Sequence, residues 1–205
     1  MRDTIHELET WLAAGGKRIG QIAISPVPDG WELRHVDDAG RTDLATWVRW
    51  QDARSLANLD DAGAYRALKT APTLRHGWRL VLGSADEVRR ALDYFYPAML
   101  GVWLAWKAGE VQPVCLRETL ARQTGMYRIT QKLTDEQAQA LIGKTCANES
   151  CRKTVLWSIA PGQRIETLPA EKFVPGDGTV EWPLPCQEAC NFLVAGARKV
   201  IKGEA

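Results

Sequence analysis

Two pairs of cysteines carry the most chemistry that can be read from this chain: Cys146-Ala-Asn-Glu-Ser-Cys151 and Cys186-Gln-Glu-Ala-Cys190, with residues 152–185 between them. Four thiolates offered from two short segments can enclose one tetrahedral ion or the four irons of a cubane cluster. Three readings compete. The cysteines can pack as small hydrophobes, they can hold a structural zinc, whose pairs more often have two intervening residues, or they can ligate an iron–sulfur cluster. All-sulfur ligation, no histidine near either pair, and Trp157 and Trp182 close in sequence as a solvent-excluding shell are compatible with a 4Fe-4S cluster. Zinc stands as the alternative. The spacing is neither the bacterial ferredoxin run C-x2-C-x2-C-x3-C-P nor the plant-type C-x4-C-x2-C run, so the motif alone is only moderately specific.

Other residues qualify this centre. Arg152 and Lys153 directly follow Cys151 and are candidates to donate to cluster sulfurs, which would raise the reduction potential. The second pair follows Pro183 and Pro185, which places Cys186 just before a terminal helix and Cys190 in its first turn, where unpaired backbone amides favour an anionic guest. Arg198, Lys199 and Lys202 on that helix offer a docking patch for an acidic redox partner, although cations near a helix C-terminus are favourable in themselves. Arg117, Glu118, Arg122 and Arg128 read as a salt-bridged helix face. Cys115, among apolar neighbours, reads as a buried inert thiol. His35 shares a strand face with Trp31 and Leu33 and reads as a core or interface histidine, and His76 before Gly77 reads as a turn residue.

The elements that must position these side chains follow from periodicity and caps. Asp3 caps a first helix carrying Ile5, Leu8, Trp11 and Leu12, stopped by Gly15-Gly16. Ile19 to Ile24 and Trp31 to Val36 alternate as two antiparallel strands around a turn region of Pro26, Pro28 and Asp29-Gly30. Leu44 to Leu68 reads as mixed, helical in parts, and Trp78 to Leu82 as a third strand. Ser84-Ala-Asp-Glu87 and Thr134-Asp-Glu-Gln137 are capping boxes. The first opens a helix with Val88, Leu92 and Phe95 inward, and Pro97 restarts the chain into a second with Leu100, Trp103 and Leu104. The other opens a helix with Ala138, Leu141 and Ile142 that stops at Gly143 and delivers the chain to Cys146. Thr154 to Ile159 has strand character, 161–185 is loop with a short strand at Val180 to Trp182, and Gln187 to Ile201 is helical. The fold class expected is α+β, with a supporting domain over 1–83 and a helix-rich cluster-binding domain over 84–205, divided near Gly83.

Composition narrows the partners. The 205 residues carry 26 Lys plus Arg against 25 Asp plus Glu, so charge gives no reason to expect nucleic acid or an anionic membrane. The longest uncharged stretch, Tyr94 to Trp106, is broken by Pro97 and Gly101 and falls short of the roughly 20 apolar residues that span a bilayer. A polar N-terminus without an apolar run after it gives the expectation of a cytoplasmic protein, where five cysteines favour a metal or redox site over disulfides. Nine tryptophans spread along the chain argue for bulky core packing. No phosphate loop, no paired-carboxylate signature and no Ser-His-Asp order is present. The chain therefore reads as a redox or accessory protein rather than a stand-alone enzyme, with catalytic use of the cluster a third option.

A wider resemblance accompanies these motifs. Leu116-Arg-Glu-Thr-Leu-Ala-Arg-Gln-Thr-Gly-Met-Tyr-Arg128, then Cys146-x4-Cys151-Arg-Lys-Thr-Val-Leu-Trp157 and Pro185-Cys186-x3-Cys190-Asn191, resembles the 4Fe-4S-binding domain found C-terminal to the CbiX-type chelatase region in a Deinococcus protein family. Gly30-Trp31-Glu-Leu-Arg-His-Val-Asp-Asp38 and Leu74-Arg-His-Gly-Trp78 are similar to that family's companion stabilising domain. The resemblance implies cluster ligation by Cys146, Cys151, Cys186 and Cys190. It further implies a partner that is a redox protein or a tetrapyrrole-processing enzyme of cobalamin or siroheme type. The chelatase portion has no counterpart here, since only His6, His35 and His76 are available. A stand-alone cluster protein working in electron transfer or redox sensing is the expectation, with a structural zinc-binding interaction module as its alternative.

Overall fold

The computed structural model describes residues 3–57, 74–111, 114–115, 132–146, 154–155, 157–158, 180–186 and 191–204. The fold is α+β and forms two compact units: Met1–Leu68 with Pro72–Ala105 and Lys172–Leu184, and Lys69–Ala71 with Trp106–Glu171 and Pro185–Ala205.

The first unit is built on a six-stranded sheet in the order β4-β5-β3-β2-β1-β9. Its strands are β1 (Arg18–Ile19), β2 (Ile22–Val27), β3 (Gly30–His35), β4 (Ala45–Trp47), β5 (Trp78–Leu82) and β9 (Glu181–Trp182). β2 and β3 pair antiparallel from Ile22↔His35 to Val27↔Gly30, so strand β2 runs through Pro26 rather than turning there. Proline is accepted because of where its missing N–H would point. Ile24 N donates to Lys17 O at 2.8 Å on the β1 side, and Pro26, of the same parity, faces that side beyond the end of β1. The hairpin closes on Pro28-Asp29, with Gly30 at φ 139°. A Cβ at Gly30 would sit 2.1 Å from the Leu82 carbonyl oxygen, so the close approach of β5 requires glycine.

One face of this sheet is apolar. Ile22, Ile24, Leu33, Leu80 and Leu82 are buried, and the helices that cover them carry matching stripes. Helix α1 (Thr4–Ala13) begins where Asp3 Oδ1 accepts from Ile5 N at 2.9 Å and buries Leu8, Trp11 and Leu12. A short helix α2 (Ala53–Leu56) precedes β5. Helix α3 (Ala85–Phe95) starts on Ser84 Oγ, which accepts from Glu87 N, while Glu87 Oε2 accepts from Gly83 N at 2.9 Å. It buries Val88, Ala91, Leu92 and Phe95, and Phe95 stacks on Trp78 with centroids 5.3 Å apart. Helix α4 (Met99–Lys107) adds Leu100, Trp103 and Leu104 to the core, as its spacing predicts. On the opposite face of β3 the buried Glu32 carboxylate is covered by Arg34, whose Nε donates at 2.7 Å, and by Arg79 at 3.6 Å.

Two expectations change here. The boundary expected near Gly83 falls between β5 and α3, which are in contact, and α3 also packs on α1, so the apolar stripe after Gly83 completes the first core. The segment read as mixed from Leu44 contains β4, an edge strand parallel to β5 with Ala45↔Trp78 and Trp47↔Leu80, followed by a 3-10 turn at Trp50–Asp52 and by α2. Three residues, all exposed, are too short a run for a period-2 signal. Residues 58–68 of that segment lie outside the described residues.

The described parts of the second unit are helices α5 (Asp135–Cys146) and α6 (Asn191–Lys202) and strands β6 (Val114–Cys115), β7 (Thr154–Val155), β8 (Trp157–Ser158) and β10 (Pro185–Cys186). The Thr134 box forms as its sequence predicts: Thr134 N donates to Gln137 Oε1 at 3.0 Å and Gln137 N to Thr134 Oγ1 at 3.2 Å. In that first turn the Glu136 carboxyl is held below its usual range, chiefly by a hydrogen bond from its own amide and then by Thr134. Ala138, Leu141 and Ile142 are buried. The helix does not stop at Gly143 but continues to Cys146, since an interior glycine costs a helix only about 1 kcal/mol relative to alanine. In α6, Leu193, Val194 and Ala197 are buried, and Gly196 lies where a Cβ would meet Leu141 Cδ1 at 2.6 Å. Glycine thereby lets α5 and α6 approach closely.

Candidate metal centre

All five cysteines fall in the sequence ranges of the second unit. Cys146 is the last residue of α5, so the first cysteine pair begins in a helix rather than in a loop. Cys186 is half-buried in β10, a strand where the sequence predicts only the approach to a helix. β10 pairs in parallel with β7 through Pro185↔Thr154 and Cys186↔Val155. Cys151 precedes Val155 by four residues, so the chain reaches back at most about 14 Å from that pairing to the first cysteine pair. The two helices of this unit also pack on each other. The contact of Leu141 with position 196 lies five residues from Cys146 on α5 and five from Asn191 on α6, roughly 7.5 Å along each axis. Cys190 immediately precedes Asn191.

Cys151, Cys190, Arg152 and Lys153 lie outside the described residues. Trp157 is in β8, and its backbone alone is described. Trp182, expected near the cluster, belongs to the core of the first unit: it is fully buried in β9 and meets Trp11 edge-on, centroids 5.6 Å apart. Cys115 is in β6, which pairs with β8 through Cys115↔Ser158. The stretch 154–158 thus carries strand partners that contain Cys186 on one ladder and Cys115 on another. Sequence spacing gives no hint of this second pairing, because two-residue ladders leave no periodic trace.

The donor set suits a cluster. Thiolates are the ligands of cubane iron, and a helix start just after Cys190 supplies amides of the kind that stabilise its negative charge. Comparison with known proteins agrees. Residues 108–199 match the 4Fe-4S iron-sulfur cluster binding domain, and residues 4–107, half of the chain, match the DR2241 stabilising domain. The chain belongs to the DR2241 stabilising-domain family. A solved structure of DR2241 from Deinococcus radiodurans, described as a multi-domain protein with structural similarity to chelatases and two additional novel domains, is 35% identical, with a TM-score of 0.62. The likeness covers 98% of this chain and 42% of that protein, so the chain spans less than half of its relative. No curated protein matches at a significant level. The family resemblance read from the motifs is thereby established, and the cofactor of the second domain is a 4Fe-4S cluster rather than zinc.

Sequence reasoning missed one other grouping in this DR2241-family chain. His35 and His76 stand ring to ring, centroids 3.9 Å apart, with Asp37 beside them. Spacing along the chain carries no signal for it: the β3–β5 register, Arg34↔Arg79, extended past its last pair, sets position 76 opposite position 37.

Proposed function

We propose that this chain uses its 4Fe-4S cluster, held by Cys146, Cys151, Cys186 and Cys190, for electron transfer or redox sensing in support of tetrapyrrole metabolism. The observation that carries the reading is the β10–β7 ladder, which sets Cys186 beside the segment that follows Cys151. The cluster supplies one-electron chemistry when bound. The chain's own part would be to hold it: Cys146 ends α5, Cys186 lies in the half-buried strand β10, and Cys190 immediately precedes α6, whose first backbone amides lack intrahelical partners. Arg152 and Lys153, next to a ligand, tune its potential as donors to sulfur.

The tetrapyrrole link rests on the chelatase likeness of the Deinococcus relative and belongs to that whole protein first. The partner is a redox protein or a tetrapyrrole-processing enzyme, met in the cytoplasm, and the exposed Arg198, Lys199 and Lys202 of α6 give it a cationic face to dock on. No helix among the described residues is long and apolar enough to cross a membrane.

Anaerobic purification with iron and sulfide analysis, followed by electron paramagnetic resonance of the dithionite-reduced protein, tests the proposal. Four irons and four sulfides per chain, a reduced cubane signal, and loss of both in any of the four Cys→Ser variants but not in Cys115→Ser are expected. Stoichiometric zinc without sulfide, or a cluster retained in Cys186→Ser, would overturn the assignment.

A further inference from the structure

We propose that His35, Asp37 and His76 form a second metal site, in the first unit and separate from the cysteines, for a divalent first-row transition ion. Each residue offers one donor atom, and the three atoms lie within 4.8 Å of one another, the one such grouping among the described residues. Two imidazoles and one carboxylate are the donors that zinc, cobalt and nickel share.

The site is built rather than accidental. His35 is buried at 1% exposure, and its ring is fixed at both nitrogens: Nδ1 accepts from Asp37 N at 3.1 Å, which requires the proton on Nε2, and Nε2 then donates to Gln21 Oε1 at 3.2 Å. A ring that donates its far N–H to an oxygen and turns its lone pair toward neighbouring donors is the arrangement of a metal-bound histidine. Asp37 Oδ2 stands 3.7 Å from that Nδ1.

His76 is brought there by an anchored loop. Buried Asp38 accepts from Gly77 N at 2.7 Å and pairs with Arg41 at 2.9 Å, Gly77 O accepts from Ala45 N at 3.0 Å, and Trp78 Nε1 donates to Arg75 O at 2.6 Å. Tetrahedral bonds of about 2.1 Å separate donors by about 3.4 Å, so the present spread closes by no more than ~1.5 Å. The side chains of Asp37 and His76 are exposed and can rotate that far, while His35 stays fixed. Binding displaces the Asp37 amide from Nδ1, and that amide, on an exposed residue, turns to water. With three protein donors and two of them at the surface, a position remains for water or an incoming ligand, which suits exchange of the ion rather than a closed structural role.

Cobalt titration of the full-length, cluster-loaded chain under anaerobic conditions tests this. One Co2+ per chain should bind with visible d–d bands and no added thiolate charge-transfer band, leaving the cluster absorbance unchanged. His76→Ala and Asp37→Asn, both at the surface, should each weaken binding at least about tenfold, and Gln21→Met, which frees the His35 ring, by roughly 10- to 100-fold. No bound cobalt, thiolate bands on titration, or equal affinity in wild type, His76→Ala and Asp37→Asn would each overturn the proposal. Cluster content is read independently, so failure here leaves the cysteine assignment standing.

Discussion

The two units of this chain solve the problem of stability by different means. The first has a sheet whose strands reach six residues in β2 and β3, an apolar face covered by α1 and α3, and cores such as Leu33 and Phe95 with no exposed surface. In the second, no described strand exceeds two residues, and the ladders β6–β8 and β10–β7 are isolated pairs. Two-stranded ladders of this length are not stable alone. Among the described residues, the second unit is held by the packing of α5 on α6 and, on the proposed function, by the metal centre between its cysteine segments. The lesson is that short elements with little cooperative pairing can be specified when an inorganic guest ties them together, whereas the first unit needs only apolar area.

The largest effect that sharpens this contrast is removal of the guest. Cys146→Ser should abolish the cluster and bring the amides of α5 and α6 to near-unfolded hydrogen exchange, while β2, β3 and β5 keep their protection; equal loss in both units would break the comparison. Next comes the first core. Leu33→Ala should cost about 2–5 kcal/mol by urea unfolding of the first unit, with iron and sulfide per folded chain unchanged.

Glycine to alanine makes a matched test. Gly30→Ala should destabilise by roughly 1–3 kcal/mol, because φ is positive and the opposing atom is a backbone oxygen. Gly196→Ala should be close to neutral, since the flexible end of Leu141 can move and helix propensity returns about 1 kcal/mol.

The smallest effect is a pH slope. Burial raises the Asp93 carboxyl above its usual range against the opposing pull of Arg89, so the folded state holds the proton more tightly than the unfolded chain. The contribution is therefore present below the ordinary aspartate pKa and is lost as pH rises through the raised one. Across that acidic window the denaturant midpoint of wild type should fall relative to that of Asp93→Asn as pH rises.

Much of the fold was legible because it is local. Asp3, Ser84 and Thr134 announced three helices whose caps form as read, and the alternation of Trp31 to Val36 announced β3. Wherever an element lacked its own signal, reading failed: β4 is three residues long, and the helix through Gly143 outlasts an expected stop. At the candidate site, where Cys151 and Cys190 lie outside the described residues, the candidate donor types and their pairing along the chain were readable from spacing. Trp182 was not, because its place against Trp11 depends on residues far apart in the chain.

Sequence by itself determined the candidate donors, two cysteine pairs with no histidine near either, because metal preference follows from ligand chemistry and ligand chemistry is written in residue types. Tertiary structure alone decided how the chain is apportioned: β9 returns at residues 181–182 to pair with β1 in the first sheet, and the chain then enters β10 beside β7. It alone also placed His76 on His35, across an intervening β-strand pairing. Hydrogen bonds between distant strands are satisfied by geometry rather than by neighbouring residues, so no local pattern encodes them.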